Sequence, residues 1–428
     1  VRENALCSWA AAAYRDPIMV RPFLGRLNVL LNTPAAIHRV LVDNHANYRR
    51  TRASVRILRP VAGAGLLLSE GEAWRLQRRT VAPALAPRVM PLLARHIVHV
   101  TAETLDRLAG QAAAGPIDLL AEMQFLSLEI AGRSMFSLPM QARQAALRRL
   151  LGEFAARWSR PHLLDLVLPP AIPSPRDFGR GLFRRRWMGL MRTIVAERMA
   201  VPAPETPRDL FDLLRAARDP ETGAAFTATE LRDQVATLLL AGHETTALAL
   251  FWALVMLAQM PALADWLAAE VDEVPITAAD ATEVVGRLPR TRAMVQETLR
   301  LYPPAFLIVR EPIGPDRLEG VDVPPGSLVM IAPWVLHRHA ALWPEPTVFD
   351  PARFLPEAPP PPRMAFLPFG VGPRTCVGAQ FAMTEAVLAL AMLVQRFRFS
   401  LTDSRPVLPV AAVTTQPDHA PMVRLEPR

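Results

Sequence analysis

The pattern of apolar and polar positions divides this chain into a helical body and a strand-rich end. From about Glu70 to Leu301 apolar residues recur mostly at helical spacing, with proline-rich breaks near 161–175 and 202–207. After Pro303 turn residues crowd in, which predicts strands and loops. Near the start, residues 3–15 read as a short helix. Ile18, Val20, Leu27, Val29 and Leu31 predict a hairpin over 18–31, turning near Gly25. Thr33 followed by Pro34 opens another helix, since proline suits the first helical position. Leu318 to Met330 reads as a second hairpin, with Pro324-Pro325-Gly326 at its tip. Residues 344–375 are proline-rich and irregular, and so long an irregular stretch usually carries function. A last long helix, about 377–395, leads into terminal strands. The fold class is therefore mainly α with small β-sheets. No repeat or linker divides the chain, so one domain over 1–428 is expected.

The longest helical pattern starts at Thr227-Ala228-Thr229-Glu230, a capping box, and runs to Met260, where Pro261 stops it. At 1.5 Å per residue it spans roughly 50 Å. Ala247 to Ala258 is apolar on every face and predicts burial. His243 and Glu244 in mid-run argue against a membrane span. Inside it lies Ala241-Gly242-His243-Glu244-Thr245-Thr246. Glycine weakens a helix by about 1 kcal/mol relative to alanine. A buried acid needs a partner, and an interior threonine can bond back to a carbonyl and bend the helix. These residues predict a local distortion with a small polar pocket, where an acid beside a hydroxyl relays protons. A tolerated glycine and an acid satisfied by a neighbouring arginine fit the hexapeptide equally well.

Glu297 and Arg300 stand three apart on the helix that ends before Pro303. Exposed pairs at this spacing contribute only about 0.2–0.5 kcal/mol. Between Leu288, Met294 and Leu301 the pair would be buried and need further partners. Arg353, in Phe349-Asp350-Pro351-Ala352-Arg353-Phe354, is the third member expected of a structural network.

Cys376 lies in Phe369-Gly370-Val371-Gly372-Pro373-Arg374-Thr375-Cys376-Val377-Gly378, just before the last long helix. Such a loop presents a sulfur at a helix N-terminus. The helix end and nearby cations bias that sulfur toward thiolate, a strong ligand for iron.

Composition narrows the setting. The chain has 428 residues, 51% hydrophobic, 43 of them proline. There is no lysine, so all 48 basic residues are arginine, as in a GC-rich bacterial genome. The net charge of +8 is then no footprint of nucleic acid, since the arginines are scattered and no aromatic ladder accompanies them. Two distant cysteines, Cys7 and Cys376, suggest a reducing compartment. No signal peptide is visible, and the apolar stretch Leu6–Tyr14 is too short to span a bilayer, so a cytoplasmic location is expected.

Four patterns occur in one order: Ala-Gly-His-Glu-Thr-Thr at 241–246, Glu-x-x-Arg at 297–300, Phe-x-Pro-x-Arg-Phe at 349–354, and Phe-Gly-x-Gly-Pro-Arg-x-Cys-x-Gly at 369–378. The chain resembles the cytochrome P450 family. The likeness extends to Gly65–Arg79, which looks like the family's helix along one haem edge. The resemblance implies the family's fold, with a long central helix over the haem. It implies haem b with Cys376 as axial thiolate, a ligand that favours O–O cleavage. Gly370 and Gly372 allow the tight turn, Phe369 packs on the ligand side, and Gly378 lets the next helix approach the porphyrin. Arg374, Arg310, Trp74 and Arg78 match residues that hold haem propionates. Glu244 and Thr245 match the acid–alcohol pair that delivers protons to bound dioxygen. One departure is His337-Arg338-His339-Ala340, which lacks the usual acid and proline. His337 reads as a structural histidine, and His339 is unassigned.

Segments matching the family's substrate cavity are mostly apolar here, including Val61, Leu66, Leu67, Leu163, Leu166, Leu240, Ala241, Phe306, Leu307, Ile308 and Val413. Their polar exceptions are Arg56 and Arg59. That lining suits a lipophilic substrate, of terpenoid or fatty-acyl type. Leu163–Phe183 reads as a substrate lid, with a membrane-touching loop as the weaker alternative. No flavin or iron–sulfur pattern is present, so electrons come from NAD(P)H through a separate ferredoxin or flavodoxin. Arg75, Arg79 and Arg88 are expected to form its cationic docking face. A monomeric monooxygenase is the leading expectation. A peroxide-driven or isomerising enzyme tends to lose the acid–alcohol pair present here. A haem carrier or sensor would need no proton relay.

Overall fold

Thr227 caps the central helix as its sequence demands: its hydroxyl accepts from the Glu230 amide at 3.2 Å, and the Glu230 carboxylate accepts from the Thr227 amide at 2.9 Å. The structure is a computed structural model. It describes residues 4–23, 25–159, 162–168, 172–411 and 413–428, without the side chains of Phe23 and Leu163. The proline-rich break expected at 161–175 therefore falls partly outside the described residues, as does the side chain of Leu163.

Ten helices frame the site: α1 (Arg52–Ala62), α2 (Gly71–Val81), α3 (Met90–Ala112), α4 (Leu119–Phe136), α5 (Gln141–Glu153), α6 (Leu163–Val167), α7 (Pro175–Ala200), α8 (Ala228–Gln259), α9 (Pro289–Leu301) and α10 (Ala379–Arg396). α8 is the hub and packs against α1, α4, α7, α9 and α10. Residues Ala247–Val255 of α8 are all buried, and truncating one of its leucines would cost about 2–5 kcal/mol. α8 is the one described helix long and apolar enough to cross a membrane, and its most apolar stretch is 78% buried inside the protein.

Strands β1 (Ile18–Phe23), β2 (Arg26–Leu31), β3 (Tyr48–Arg49), β4 (Ile117–Asp118), β5 (Ile308–Pro312), β6 (Asp316–Leu318), β7 (Val321–Val323), β8 (Leu328–Ile331), β9 (Phe397–Leu401), β10 (Pro409–Ala411), β11 (Thr415–Pro417) and β12 (Met422–Pro427) make small sheets. One has five strands in the order β1-β2-β8-β5-β3. Another has the order β4-β12-β9, and β6-β7 and β10-β11 are hairpins. The fold is mainly α with minor sheets, as expected.

Three local expectations need correction. Residues 5–14 form two 3-10 turns, Ala5–Ser8 and Ala11–Tyr14, not one helix. Asn4 caps the first turn, and its amide donates to the Pro409 carbonyl at 2.8 Å, so tertiary contact sets this segment. The second hairpin turns at Glu319-Gly320, both with positive φ, the geometry of a tight two-residue turn. Pro324-Pro325-Gly326 only leads into β8, which pairs with β2 and β5. Finally, α8 is α-helical throughout, so the expected distortion is absent. Thr245 and Thr246 bond back to the carbonyls of Ala241 and Gly242 at 2.7 and 3.1 Å within an unbroken helix.

Candidate functional site

The Cys376 loop is shaped by its glycines. Gly370 and Gly372 have φ of +67° and +76°. A Cβ on Gly372 would lie 2.1 Å from the Leu41 carbonyl oxygen, so only glycine fits. The Cys376 amide donates to the Phe369 carbonyl at 2.8 Å and closes the turn. α2 clamps the loop from outside. Arg78 donates to the Thr375 carbonyl at 2.8 Å, and the Arg374 guanidinium lies over the Trp74 ring, 4.4 Å from its centre. A Cβ on Gly378 would meet no protein atom within 4 Å, so the protein itself does not demand glycine there.

Cys376 is exposed, yet protein surrounds it closely enough that burial pushes its thiol above the ordinary value. The sulfur thus opens onto inner space, not the outer surface. The Gly378 amide and the Arg78 charge pull the other way and lose. This corrects the expected bias toward free thiolate. Coordination of the sulfur to a metal would favour its deprotonated form.

Beside the loop is a cluster of cations that sequence reasoning only partly found. Among the described residues the Arg310 guanidinium makes one hydrogen bond, to the neighbouring Val309 carbonyl. Burial first, and then the charge of Arg374, pull it down to about 10. Arg50, not anticipated, is drawn down to about 9 by burial and then by Arg310 and Arg374. Its Nε is buried without a partner among the described residues. Among the described residues only Glu70 answers these three charges, pairing with Arg374 and accepting the Arg50 backbone amide at 3.1 Å. Three guanidiniums around one carboxylate are short of anion. The residues therefore fit a group that presents carboxylates here and a metal to sulfur nearby.

On α8, Ala241 is exposed, and Thr245 one turn on is partly so, although the helix is the core of the protein. Glu244 turns to the C-terminal hairpin, where Oε1 accepts from Thr414 Oγ1 at 3.2 Å and from Gln416 Nε2. Burial raises its pKa, against the pull of these two hydrogen bonds. No cation pairs with it among the described residues, so the arginine partner weighed above is not found. His243 is buried, and burial pulls it down to about 4.

Glu297 and Arg300 lie fully buried. Arg300 spends all five N–H donors: two on Glu297 at 2.6 and 2.7 Å, and three on the carbonyls of His337, Pro346 and Val348 at 2.7–2.8 Å. Glu297 also accepts the Asp350 amide at 2.7 Å. Arg353 comes only to 3.7 Å of Glu297. His337 Nδ1 contacts the Arg300 carbonyl at 3.1 Å, and Nε2 accepts the Leu367 amide at 2.9 Å, which fixes a neutral ring with the proton on Nδ1.

The apolar residues separate. Leu66, Leu67, Leu240 and Val413 border the main core, whereas Phe306 and Leu307 pack on a smaller cluster with Leu6 and Trp334. Leu66 is placed where the Gly63–Leu67 loop lies on α8. Its amide donates to Gln234 at 3.1 Å, and a Cβ on Gly65 would strike Thr237 and the Asp233 carbonyl. Arg56 is not free for a substrate. It is spent on Asp177 and on the Leu168 and Ile172 carbonyls. The cationic docking face is also weaker than expected. Arg75 pairs with Glu72, and Arg79 pairs with Glu72, Asp219 and Glu221, which leaves Arg88 as the one of the three without an ion pair among the described residues.

Sulfur for a metal and unanswered cations for carboxylates describe one ligand, a porphyrin-type metal group with acidic arms, and so the class of haem proteins. Comparison with known proteins makes this particular. The chain belongs to the cytochrome P450 family, whose model, "Cytochrome P450", matches residues 5–420. It is 37% identical to cyclooctatin synthase of Streptomyces melanosporofaciens over 79% of this chain and 74% of that protein. It is 30% identical to cyclooctat-9-en-7-ol 5-monooxygenase of the same organism over 79% and 73%. The crystal structure of the cytochrome P450DA heme domain superposes with a TM-score of 0.82 at 24% identity, covering 96% of this chain and 90% of that one. This chain is accordingly a P450 oxidoreductase with haem-thiolate monooxygenase chemistry, and membership implies haem b.

Proposed function

We propose that Cys376 is the axial thiolate, that Arg50, Arg310 and Arg374 answer the haem propionates, and that the enzyme inserts one oxygen atom of O2 into a lipophilic, terpenoid-type substrate. The observation that carries this is the anion-deficient arginine cluster beside the cysteine loop. Trp74 and Arg78 steady the loop from α2, and Phe369 backs it. Gly370 and Gly378 keep its turn and its exit clear. The haem, when bound, supplies the activation of dioxygen.

Glu244 and Thr245 manage protons. Burial keeps a proton on Glu244 more firmly than on an ordinary carboxylate. Thr414 and Gln416 hold its Oε1, and Oε2 has no hydrogen bond among the described residues, so that oxygen carries the transferable proton. Thr245 rests with its hydroxyl donated to Ala241 and turns from that carbonyl to offer its proton elsewhere. Leu66, Leu67, Leu240, Ala241, Phe306, Leu307 and Val413 give the substrate apolar walls. The relative named as a monooxygenase of cyclooctat-9-en-7-ol, an unsaturated alcohol, supports such a substrate. Electrons come from NAD(P)H through a separate ferredoxin or flavodoxin.

A reduced carbon monoxide spectrum tests the thiolate, whose signature should vanish in Cys376→Ala. Thr245→Ala should uncouple turnover, with roughly tenfold or more of the flux lost to peroxide, on the scale of one lost proton-transfer group. Fully coupled turnover in that variant would remove Thr245 from the mechanism.

A further inference from the structure

The chain enters the cysteine loop through a segment that cannot pair its own backbone. Pro356, Pro359, Pro360, Pro361, Pro362 and Pro368 have no amide to donate, and Met364 sits at a φ of +64°. Leu367 lies among them, 4% exposed, with its amide out of reach of water. Such an amide needs an acceptor. Among the described residues it has one, the ring of His337, 30 positions earlier, whose Nε2 accepts it at 2.9 Å.

His337 is itself gripped from the other side. Its Nδ1 donates to the Arg300 carbonyl at 3.1 Å, and the Arg300 guanidinium donates to the His337 carbonyl at 2.8 Å. The two residues therefore bond each other in both directions. The ring centre lies 5.3 Å from that of Phe366, which also meets Phe354 at 4.8 Å and Trp343 at 6.3 Å. Burial pulls the imidazole down to about 3, so it stays neutral and Nε2 keeps its lone pair. From Leu367 the order passes to the sulfur through two closed turns. The Leu367 carbonyl accepts the Gly370 amide at 3.2 Å, and the Phe369 carbonyl accepts the Cys376 amide at 2.8 Å and the Thr375 hydroxyl at 3.3 Å. Gly372 against Leu41 and Arg78 on Thr375 hold the later part of the loop, not its entry.

We propose that His337 is a positioning residue for the haem ligand: through the Leu367 amide it sets the entry of the cysteine loop on the buried Glu297–Arg300 pair, and so keeps the Cys376 sulfur in register for the metal. The link to ligation rests on the reading of Cys376 as axial thiolate, whereas the anchoring of Leu367 does not. A histidine that merely capped the last turn of α9 would need Nδ1 alone. The two roles use different ring nitrogens and can be taken apart. Asparagine places an N–H where Nδ1 stands and nothing at Nε2. Glutamine places a carbonyl oxygen where Nε2 stands and nothing at Nδ1.

The test is amide hydrogen exchange of the holoprotein, read by fragmentation mass spectrometry, beside the decay of the thiolate signature in the reduced carbon monoxide spectrum. In His337→Asn the Leu367 amide should exchange about 5- to 150-fold faster, the scale of one buried amide left unpaired, and the thiolate signature should decay faster than in wild type. His337→Gln should keep both near wild type, while exchange rises in the last turn of α9 instead. Equal behaviour of the two variants would overturn the proposal. So would a protected Leu367 amide, or a thiolate signature as durable as in wild type, in His337→Asn. If exchange in His337→Asn rises across α8 as well, that variant has lost its fold, and His337→Gln decides: a Leu367 amide exposed there gives His337 to α9 alone. Cys376→Ala separates the two readings. A thiolate signature that survives it removes Cys376 as ligand and leaves the exchange result standing. A signature lost in Cys376→Ala yet unchanged in His337→Asn removes only the role of His337.

Discussion

Arg300 and Arg310 stand ten residues apart and lead opposite lives. Arg300 is fully buried, with every donor committed to protein acceptors that lie up to 48 residues away. Arg310 is hemmed in by protein, gives one bond to its own neighbour, and shares its space with two more cations. A closed set of partners marks a group whose work is finished when the chain folds. An open set marks a group still waiting for something from outside. Burial alone does not separate the two, because both guanidiniums have left bulk water. Partner count does.

The largest effect that would sharpen this contrast is Arg300→Ala. It strands a buried carboxylate and three carbonyls, and should cost about 3–5 kcal/mol, leaving little folded holoprotein by thermal denaturation and carbon monoxide difference spectra. A stable Arg300→Ala protein would break the comparison.

Glu385 on α10 offers an intermediate case, buried with one partner, the Ser127 hydroxyl at 2.8 Å. Burial pushes it up to about 8. Its folded pKa thus exceeds its unfolded value, so the stability it contributes is present in full below about pH 4.5 and is lost as pH rises through 8. Glu385→Gln should flatten that loss, worth on the order of a few kcal/mol. The check is the difference in melting temperature between wild type and variant at pH 5 and pH 8, near the two ends of that window.

Arg310→Ala and Arg50→Ala should behave unlike Arg300→Ala. The polypeptide should fold, while haem retention on transfer to apomyoglobin falls roughly tenfold per cation, near 1.4 kcal/mol. Loss of the fold in either variant would erase the distinction. The smallest effect is expected from Gln416→Leu, which removes one of the two groups holding Glu244 Oε1. Coupling should drop by about two- to tenfold, the scale of one hydrogen bond, and Gln416→Asn should restore part of it.

The sequence made the closed set easier to read than the open one. Glu297 and Arg300 share a helix at fixed spacing, and the cysteine loop carries its glycines within ten residues, so local geometry alone brings these groups together. Arg50 gave no such signal. In a chain whose only cationic side chain besides histidine is arginine, nothing local separates it from Arg49, which folding pairs with Glu311. The two 3-10 turns at 5–14 were hidden for the same reason. Alanine content argues for helix, and only the bond from Asn4 to Pro409, at the far end of the chain, argues otherwise. The Glu319-Gly320 turn lost out to the louder Pro-Pro-Gly nearby. The unbroken α8 shows the converse, since packing on its helical neighbours keeps helical a segment whose residues favour a bend.

The grip of Arg300 bears on when the cofactor's seat is built. It staples α9 to the carbonyls of residues 337, 346 and 348, and Glu297 adds the amide of 350, while touching neither Cys376 nor the arginine cluster. The entropy of closing that long irregular span is thereby met from within the polypeptide. The incoming porphyrin finds its anchorage preorganised, and its own binding energy is left for staying bound.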